Sequence, residues 1–211
     1  MLKIPQTDDV ATALGLVLRH LAACGYRFIT PTPLTHQRVL AHRGAQMAAN
    51  LRDVFGWNMP FKIATCDGMT RELLAAMRGA GVLQTRGDVL QSRLRVASVG
   101  DDLFVHSAYP TTQDDAVFFG PDTYRFARFV QQGVASFLPT GGQPVRLLDV
   151  GCGSGALLQR LAALGYGNLC GLDIAPPAVL PVTPPVTPSV TLDAAATTVR
   201  YIECDLDACV T

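Results

Sequence analysis

The feature that most constrains the fold of this chain is a run of alternating glycines directly after an apolar segment. In "LLDVGCGSGALL", residues 147–158, Gly151, Gly153 and Gly155 follow a strand-like stretch and precede a helix-like one. Glycines let the backbone turn tightly out of a strand and bring its N–H groups close to a ligand at a helix N-terminus. The pattern therefore predicts a strand–loop–helix unit that binds a nucleotide-like molecule.

The segments around this loop extend it into a β-α-β unit. A strand, "VRLLDV", leads into the loop, a helix, "GALLQRLAALGYG", follows it, and a second strand, "NLCGLDI", comes next. A third strand is predicted in "VRYIECDL", after a proline-rich segment, residues 175–198, in which prolines exclude a regular helix. The predicted fold class is therefore α/β, with a Rossmann-like parallel sheet.

The loop leaves more than one ligand class open. Gly151, Gly153 and Ala156 also satisfy the G-x-G-x-x-[GA] spacing of dinucleotide-binding enzymes, and a purely structural loop is a further alternative. Asp149 lies at the end of the first strand, where a carboxylate can order the loop and meet a cationic aminoacyl group but would repel a pyrophosphate. Asp173 ends the next strand, where it can accept hydrogen bonds from ribose hydroxyls. These two carboxylates favour a nucleoside with a cationic tail.

This stretch resembles the first motif of the class I S-adenosylmethionine-dependent methyltransferases, D-x-G-x-G-x-G. The motif reads here as Asp149, Gly151, Gly153 and Gly155. The resemblance implies a methyltransferase that uses S-adenosyl-L-methionine as its cofactor. The implied cofactor-binding residues of this region are Asp149, Gly151, Cys152, Gly153 and Gly155 in the loop, with Asp173 and Ile174 after the second strand.

The same resemblance extends to "ECDLD" near the end of the sequence. It implies that Asp205 and the backbone of Leu206 face the adenine amino group, with Asp207 as the alternative carboxylate. In the glycine loop, we expect Cys152 to be a small filler side chain and not a nucleophile.

A narrower resemblance comes from "AVFFGPDTYRFA", residues 116–127. It is similar to the element before the glycine motif in small-domain methyltransferases, which include glutamine N5 methyltransferases of release factors and guanine N2 methyltransferases of ribosomal RNA. The residues implied to border the methionine end or the substrate entrance are Phe119, Gly120, Pro121, Asp122 and Thr123, of which Gly120, Pro121 and Thr123 are candidate cofactor contacts. The alternative is a plain helix cap, with Asp122 at the positive end of the helix dipole.

Residues 1–110 are predicted to form an N-terminal α+β domain for substrate recognition, followed by a partial methyltransferase domain over 111–211. Three helical segments, in residues 8–26, 34–57 and 70–81, precede strands with a hairpin turn at Gly100-Asp101-Asp102. This order is typical of a winged-helix module. The formal charge is +4 over residues 1–110 and −4 over 111–211, which favours an anionic partner for the first half, with Arg93 and Arg95 on the wing.

Composition excludes several classes of protein. No apolar stretch reaches the roughly 18 residues of a membrane span, and no secretory signal is evident, so we expect a cytoplasmic protein. Six cysteines without a C-x-x-C pair argue against a zinc ribbon or a disulfide framework, and we expect reduced thiols and no metal. Four aromatic residues are expected in the core: Trp57, Tyr124, Phe126 and Phe129.

One expected motif does not occur in the sequence. The small-domain families bind their target nitrogen through an Asn-Pro-Pro-Tyr or similar motif after the fourth strand, and no such tetrapeptide occurs in these 211 residues. We expect a fragment, with a shortened relative that needs a partner as the alternative. The predicted function is methyl transfer to a nitrogen of a protein glutamine or an RNA base, and the alternative is a nucleic-acid-binding module with an inactive cofactor domain. No catalytic residue can be assigned.

Overall fold

The computed structural model describes residues 7–109, 111, 116–134, 146–164, 166–173 and 198–203. These residues form two compact units, one that extends to Gly120 and one that begins at Pro121. The division falls inside the segment assigned from sequence to the second domain. The reason is that Phe119 belongs to the N-terminal unit, where its ring stacks on those of Phe104 and His106.

The N-terminal unit is built from helices followed by two antiparallel hairpins. Its elements are α1 (Thr7–Ala23), α2 (Pro33–Arg43), α3 (Leu51–Phe55), a 3₁₀ turn (Ile63–Thr65), α4 (Arg71–Gly79), β1 (Leu83–Arg86), β2 (Val89–Ser92), β3 (Leu94–Val99) and β4 (Asp102–Ser107). The second predicted helix is two helices. Gly44 ends α2 with a φ of 58°, and the Asn50 side chain begins α3 by accepting the Asp53 N–H.

The hairpin of β3 and β4 confirms the predicted turn after Val99. Gly100 takes a φ of 61°, and Asp102 belongs to β4 and pairs with Val99. Arg95 and His106 are directly opposed across the two strands and so share one face of the hairpin.

Arg95 is fully buried, so its predicted place as an exposed cation on a wing is wrong. Its Nε donates a hydrogen bond, 2.8 Å long, to the carbonyl of Gly56, the residue directly after α3. The edge of β3 that does not pair with β4 is covered by the segment before α2, because Ser98 donates its N–H to the Phe28 carbonyl. Arg93 is exposed, as predicted.

The core of the N-terminal unit lies between the helices and both hairpins. Among its fully buried members are Val17 and Leu21 of α1, Phe55 of α3, Met77 of α4 and Phe61. Trp57 packs against this core from a partly buried position, in line with its predicted role as an anchor.

The C-terminal unit contains α5 (Pro121–Val134), β5 (Arg146–Val150), α6 (Ala156–Ala163), β6 (Asn168–Asp173) and β7 (Thr198–Glu203). The three strands are parallel in the order β5-β6-β7, which confirms the predicted β-α-β unit and the third strand. Helix α6 covers one face, where Leu158 and Leu161 pack with Leu169. The other face exposes Leu148, Val150 and Ile202.

Helix α5 corrects the prediction that its aromatic residues lie in the core. Phe126 is 53% exposed and Phe129 is 71% exposed, whereas Tyr124 is partly buried. The inward side of α5 is formed by Ala127, which is buried, and Val130, which packs against the cluster around α6. The aromatic pair lies on a different side of this helix. Among the described helices, none is long and apolar enough to cross a membrane.

Candidate cofactor site

The glycine loop turns from β5 into α6 with a left-handed backbone at each glycine of the motif. The φ angles are 74° at Gly151, 51° at Gly153 and 71° at Gly155, a region that strongly favours glycine. Gly151 and Cys152 both donate their N–H groups to the Leu172 carbonyl, at 2.8 and 3.1 Å. The loop is therefore held against the C-terminal end of β6.

Asp173 fixes the loop more directly than the sequence indicates. Its Oδ2 accepts a hydrogen bond from the Gly153 N–H at 2.7 Å, so the carboxylate that ends β6 orders the loop that follows β5. The sequence by itself indicates this ordering role for Asp149 alone. Hydrogen bonding of Asp173 to a ribose stays a prediction, and any ligand must be accommodated beside this bond.

Asp149 is a partly buried carboxylate in β5, near the charge of Asp173. Burial raises the pKa of Asp149, and the negative charge of Asp173 raises it further. Both causes mean that the ionised form is destabilised in this position. A cationic group bound nearby would relieve that cost.

Cys152 is the small filler that the sequence predicts. Its side chain is buried, and burial together with the charges of Asp173 and Asp149 raises the pKa of its thiol to about 11. Because the thiolate is the nucleophilic form, Cys152 is a protonated packing residue near neutral pH.

Two residues that support the loop, Gly171 and Tyr201, are not evident from the sequence. A Cβ on Gly171 would lie 2.8 Å from the Cys152 Sγ, 2.8 Å from Leu158 and 2.9 Å from the ring of Tyr201. A Cβ on Gly155 would likewise overlap with the Tyr201 hydroxyl, so this position also requires a glycine. The only sequence signals were a glycine and a tyrosine in apolar strands, which by themselves indicate nothing about the loop.

The remaining predicted contacts divide into two groups. Ile174, Asp205, Leu206 and the alternative Asp207 lie outside the described residues. Gly120 is buried, Pro121 begins α5, and Thr123 is partly buried. Asp122 is exposed in the first turn of α5, where a helix cap would place it. Contact of this segment with a cofactor stays a prediction.

Comparisons with known proteins agree with the interpretation of this half of the chain. Residues 122–202 match the family model of a methyltransferase domain. A stretch of 63 residues is 38% identical to the ribosomal protein L11 methyltransferase of Syntrophotalea carbinolica, a match that covers 30% of this chain and 20% of that protein. The chain thus spans only about a fifth of the length of this relative. Both matches support the predicted enzyme class, an S-adenosylmethionine-dependent methyltransferase, and neither tests the small-domain family.

The residues present fit the cofactor that this class uses. S-adenosyl-L-methionine carries a sulfonium and an ammonium group, and the loop lies beside two carboxylates, Asp149 and Asp173, of which Asp149 is destabilised by burial. The first turn of α6 adds backbone N–H groups that have no partner within the helix and can receive a carboxylate.

Proposed function

We propose that this chain forms the cofactor-binding part and a substrate-recognition part of an S-adenosylmethionine-dependent methyltransferase that acts on a nitrogen of a protein glutamine or an RNA base. The observation that carries the proposal is the hydrogen bond from Gly153 to Asp173, which joins a left-handed glycine loop to the carboxylate of the next strand. In this arrangement, Asp149 would face the cationic end of the cofactor and Asp173 its ribose.

This arrangement supports catalysis by positioning of the methyl donor relative to its acceptor. The cofactor supplies an electrophilic methyl group on sulfur, and the reaction needs an acceptor lone pair aligned behind that methyl group in a site that excludes water. The loop amides and the two carboxylates hold and orient the donor. The raised pKa of the Cys152 thiol favours direct transfer without a cysteine intermediate.

Two observations bear on the acceptor. The relative named above is by its name a methyltransferase of a ribosomal protein, which favours a protein acceptor. The positive formal charge of residues 1–110 favours an RNA, although the burial of Arg95 removes one of the two cations that the sequence assigned to a wing. The winged-helix comparison, a cytoplasmic location and kinship with the small-domain family remain part of this proposal.

Calorimetry with S-adenosylhomocysteine tests cofactor binding. The Asp173→Asn variant keeps an oxygen that can accept the Gly153 N–H but loses the negative charge, and we expect about tenfold weaker binding. Asp173→Ala loses both and should bind about 100-fold more weakly, in keeping with about 1.5–3 kcal/mol for a charged hydrogen bond. Asp88→Asn, an exposed carboxylate in the N-terminal unit, is the control and should bind normally. Absence of binding to the folded wild-type chain would refute the proposal.

A further inference from the structure

The N-terminal unit contains a cleft of about 630 Å³ that the cofactor site does not use. Helix α2 forms one wall through His36, Gln37 and Leu40, and Asn58, Gln91 and Tyr109 contribute to the rest. A volume of this size is in the range of clefts that bind small organic ligands. None of the described residues that line it carries a permanent charge.

The lining combines apolar surface with hydrogen-bonding amides. Leu40 supplies aliphatic surface, and Gln37, Asn58 and Gln91 are amides with both donor and acceptor capacity. The His36 ring stacks on Trp57, and its Nε2 donates a hydrogen bond to the Trp57 carbonyl, 3.1 Å away. Since a carbonyl only accepts, Nε2 carries the proton and Nδ1 is left as an acceptor.

His36 is held in its neutral form. Burial and, to a lesser degree, the charge of Arg95 lower its pKa to about 4, against the opposing effect of the hydrogen bond to the Trp57 carbonyl. At neutral pH the cleft therefore presents an imidazole, three amides and a phenol, all uncharged. This set suits a planar, uncharged heterocycle with mixed donors and acceptors at its edge, and not a carboxylate or an ammonium group.

Two atoms in the cleft residues are buried at an energetic cost. The Tyr109 hydroxyl and the Asn58 Oδ1 have no hydrogen-bond partner among the described residues. A desolvated polar atom of this kind costs about 1–3 kcal/mol. Asn58 also has a φ of 55°, the only left-handed backbone outside glycine in the described part of the chain. Uncompensated polar groups and unusual backbone conformations concentrate at binding sites.

Helix α2 also supplies positive charge beside the cleft. It contains no acidic residue, and Arg38 on it is exposed, next in sequence to the lining residue Gln37. A heterocycle bound in the cleft would thus lie close to a cationic helix surface, where a phosphate linked to it could bind.

We propose that this cleft binds a nucleobase, either of a free nucleoside or of a base splayed out from a single RNA strand. Single-stranded RNA is recognised in this way, by aromatic or imidazole rings and by hydrogen bonds to the base edge. The proposal extends the proposed function, and it rests on that function only for the idea that the bound RNA includes the methyl acceptor.

The single tryptophan of the chain reports on this cleft. Trp57 contacts His36, so a base that enters should change the Trp57 fluorescence. The probes are the four ribonucleosides and a short unstructured RNA labelled with fluorescein, each titrated into the full chain. We expect saturable binding of at least one nucleoside, weakened about three- to tenfold in Gln37→Ala by the loss of one hydrogen bond. Gln46→Ala, an exposed glutamine outside the cleft, is the matched control and should bind like the wild type.

Tyr109→Phe distinguishes a ligand contact from a structural one. Removal of an uncompensated hydroxyl should leave the melting temperature equal or higher while nucleoside binding weakens by a similar three- to tenfold. Arg38→Ala should weaken RNA binding and lower its salt dependence, but leave nucleoside binding unchanged. An RNA source is supported if Arg38→Ala acts on the oligonucleotide, and a free nucleoside is supported if the oligonucleotide does not bind.

Two results would overturn the proposal. One is the absence of a Trp57 response to any nucleoside and to the RNA in the folded wild-type chain. The other is binding that neither Gln37→Ala nor Tyr109→Phe weakens. Calorimetry with S-adenosylhomocysteine on the same sample is read separately, so a failure of cofactor binding and a failure of the cleft can be told apart.

Discussion

One site in each unit of this chain is centred on charge, and the two charges have opposite sign. The N-terminal unit encloses the Arg95 guanidinium, which lies 4.8 Å above the ring of Tyr109 and 5.7 Å above that of Phe28. The C-terminal unit instead places two carboxylates, Asp149 and Asp173, around its glycine loop. At each site, this charge makes it harder for a neighbouring group to acquire charge of the same sign.

This contrast indicates what each unit can bind. Near Arg95, His36 and His106 stay neutral, so the N-terminal unit offers uncharged hydrogen-bonding groups. Near Asp173, the cost of ionising Asp149 can be relieved by a cation. The same physical effect therefore favours a neutral ligand in one unit and a cationic one in the other.

Acid pH should give the largest effect, and in the N-terminal unit. Burial, reinforced by Arg95, lowers the pKa of His36 from 6.5 to about 4 and that of His106 from 6.5 to about 3. The unfolded chain therefore binds more protons than the folded one below pH 6.5. Stability should be complete above that pH and should fall by about 4 kcal/mol at pH 5, about 2 kcal/mol for each histidine.

Urea unfolding followed by Trp57 fluorescence at pH 7.5 and pH 5 measures this difference. His36→Gln should retain about half of the pH dependence, because His106 still titrates. An equal free energy of unfolding at the two pH values would show that the two histidines are not buried in neutral form.

How much of this contrast can be predicted from sequence differs between the units. The glycine motif is local, so its strand, loop and helix could be predicted from the residues between Leu147 and Leu158. The burial of Arg95 could not, because "RLRV" has the alternation of an exposed strand, and Arg95 is covered by residues distant in sequence, among them Phe28, Gly56 and Tyr109. Gly171 and Tyr201 meet the loop only through the register of the parallel sheet, which local sequence does not encode.

A smaller effect is expected from Gly171→Ala in the C-terminal unit. The new Cβ would lie within 3.0 Å of Cys152, Leu158 and Tyr201 at once, so the loop and the sheet would have to move apart. Overpacking of this kind costs about 1–3 kcal/mol. Chemical unfolding followed by circular dichroism measures the loss, and Gly167→Ala is the control, since a Cβ there meets nothing within 4 Å. Equal stability of the two variants would contradict the packing of the loop described here.

Asp149→Asn should give the smallest change in stability, and of the opposite sign. Because the pKa of Asp149 is raised by burial and by Asp173, its ionised form destabilises the folded state near neutral pH, and this cost disappears as the pH falls below the unfolded pKa. The amide cannot ionise, so it should increase the free energy of unfolding at pH 7 by the part of this cost that the wild type retains there. Asp122→Asn is the control. It makes the same chemical change in the first turn of α5, removes a favourable interaction with the helix dipole, and should lower the free energy of unfolding by about 0.3–1 kcal/mol.

If Asp149 faces the cationic end of the cofactor, the more stable variant should also bind S-adenosylhomocysteine more weakly. A variant that gained stability and kept full affinity would leave Asp149 as a buried carboxylate without a role in binding, and the negative centre of this unit would then rest on Asp173 alone.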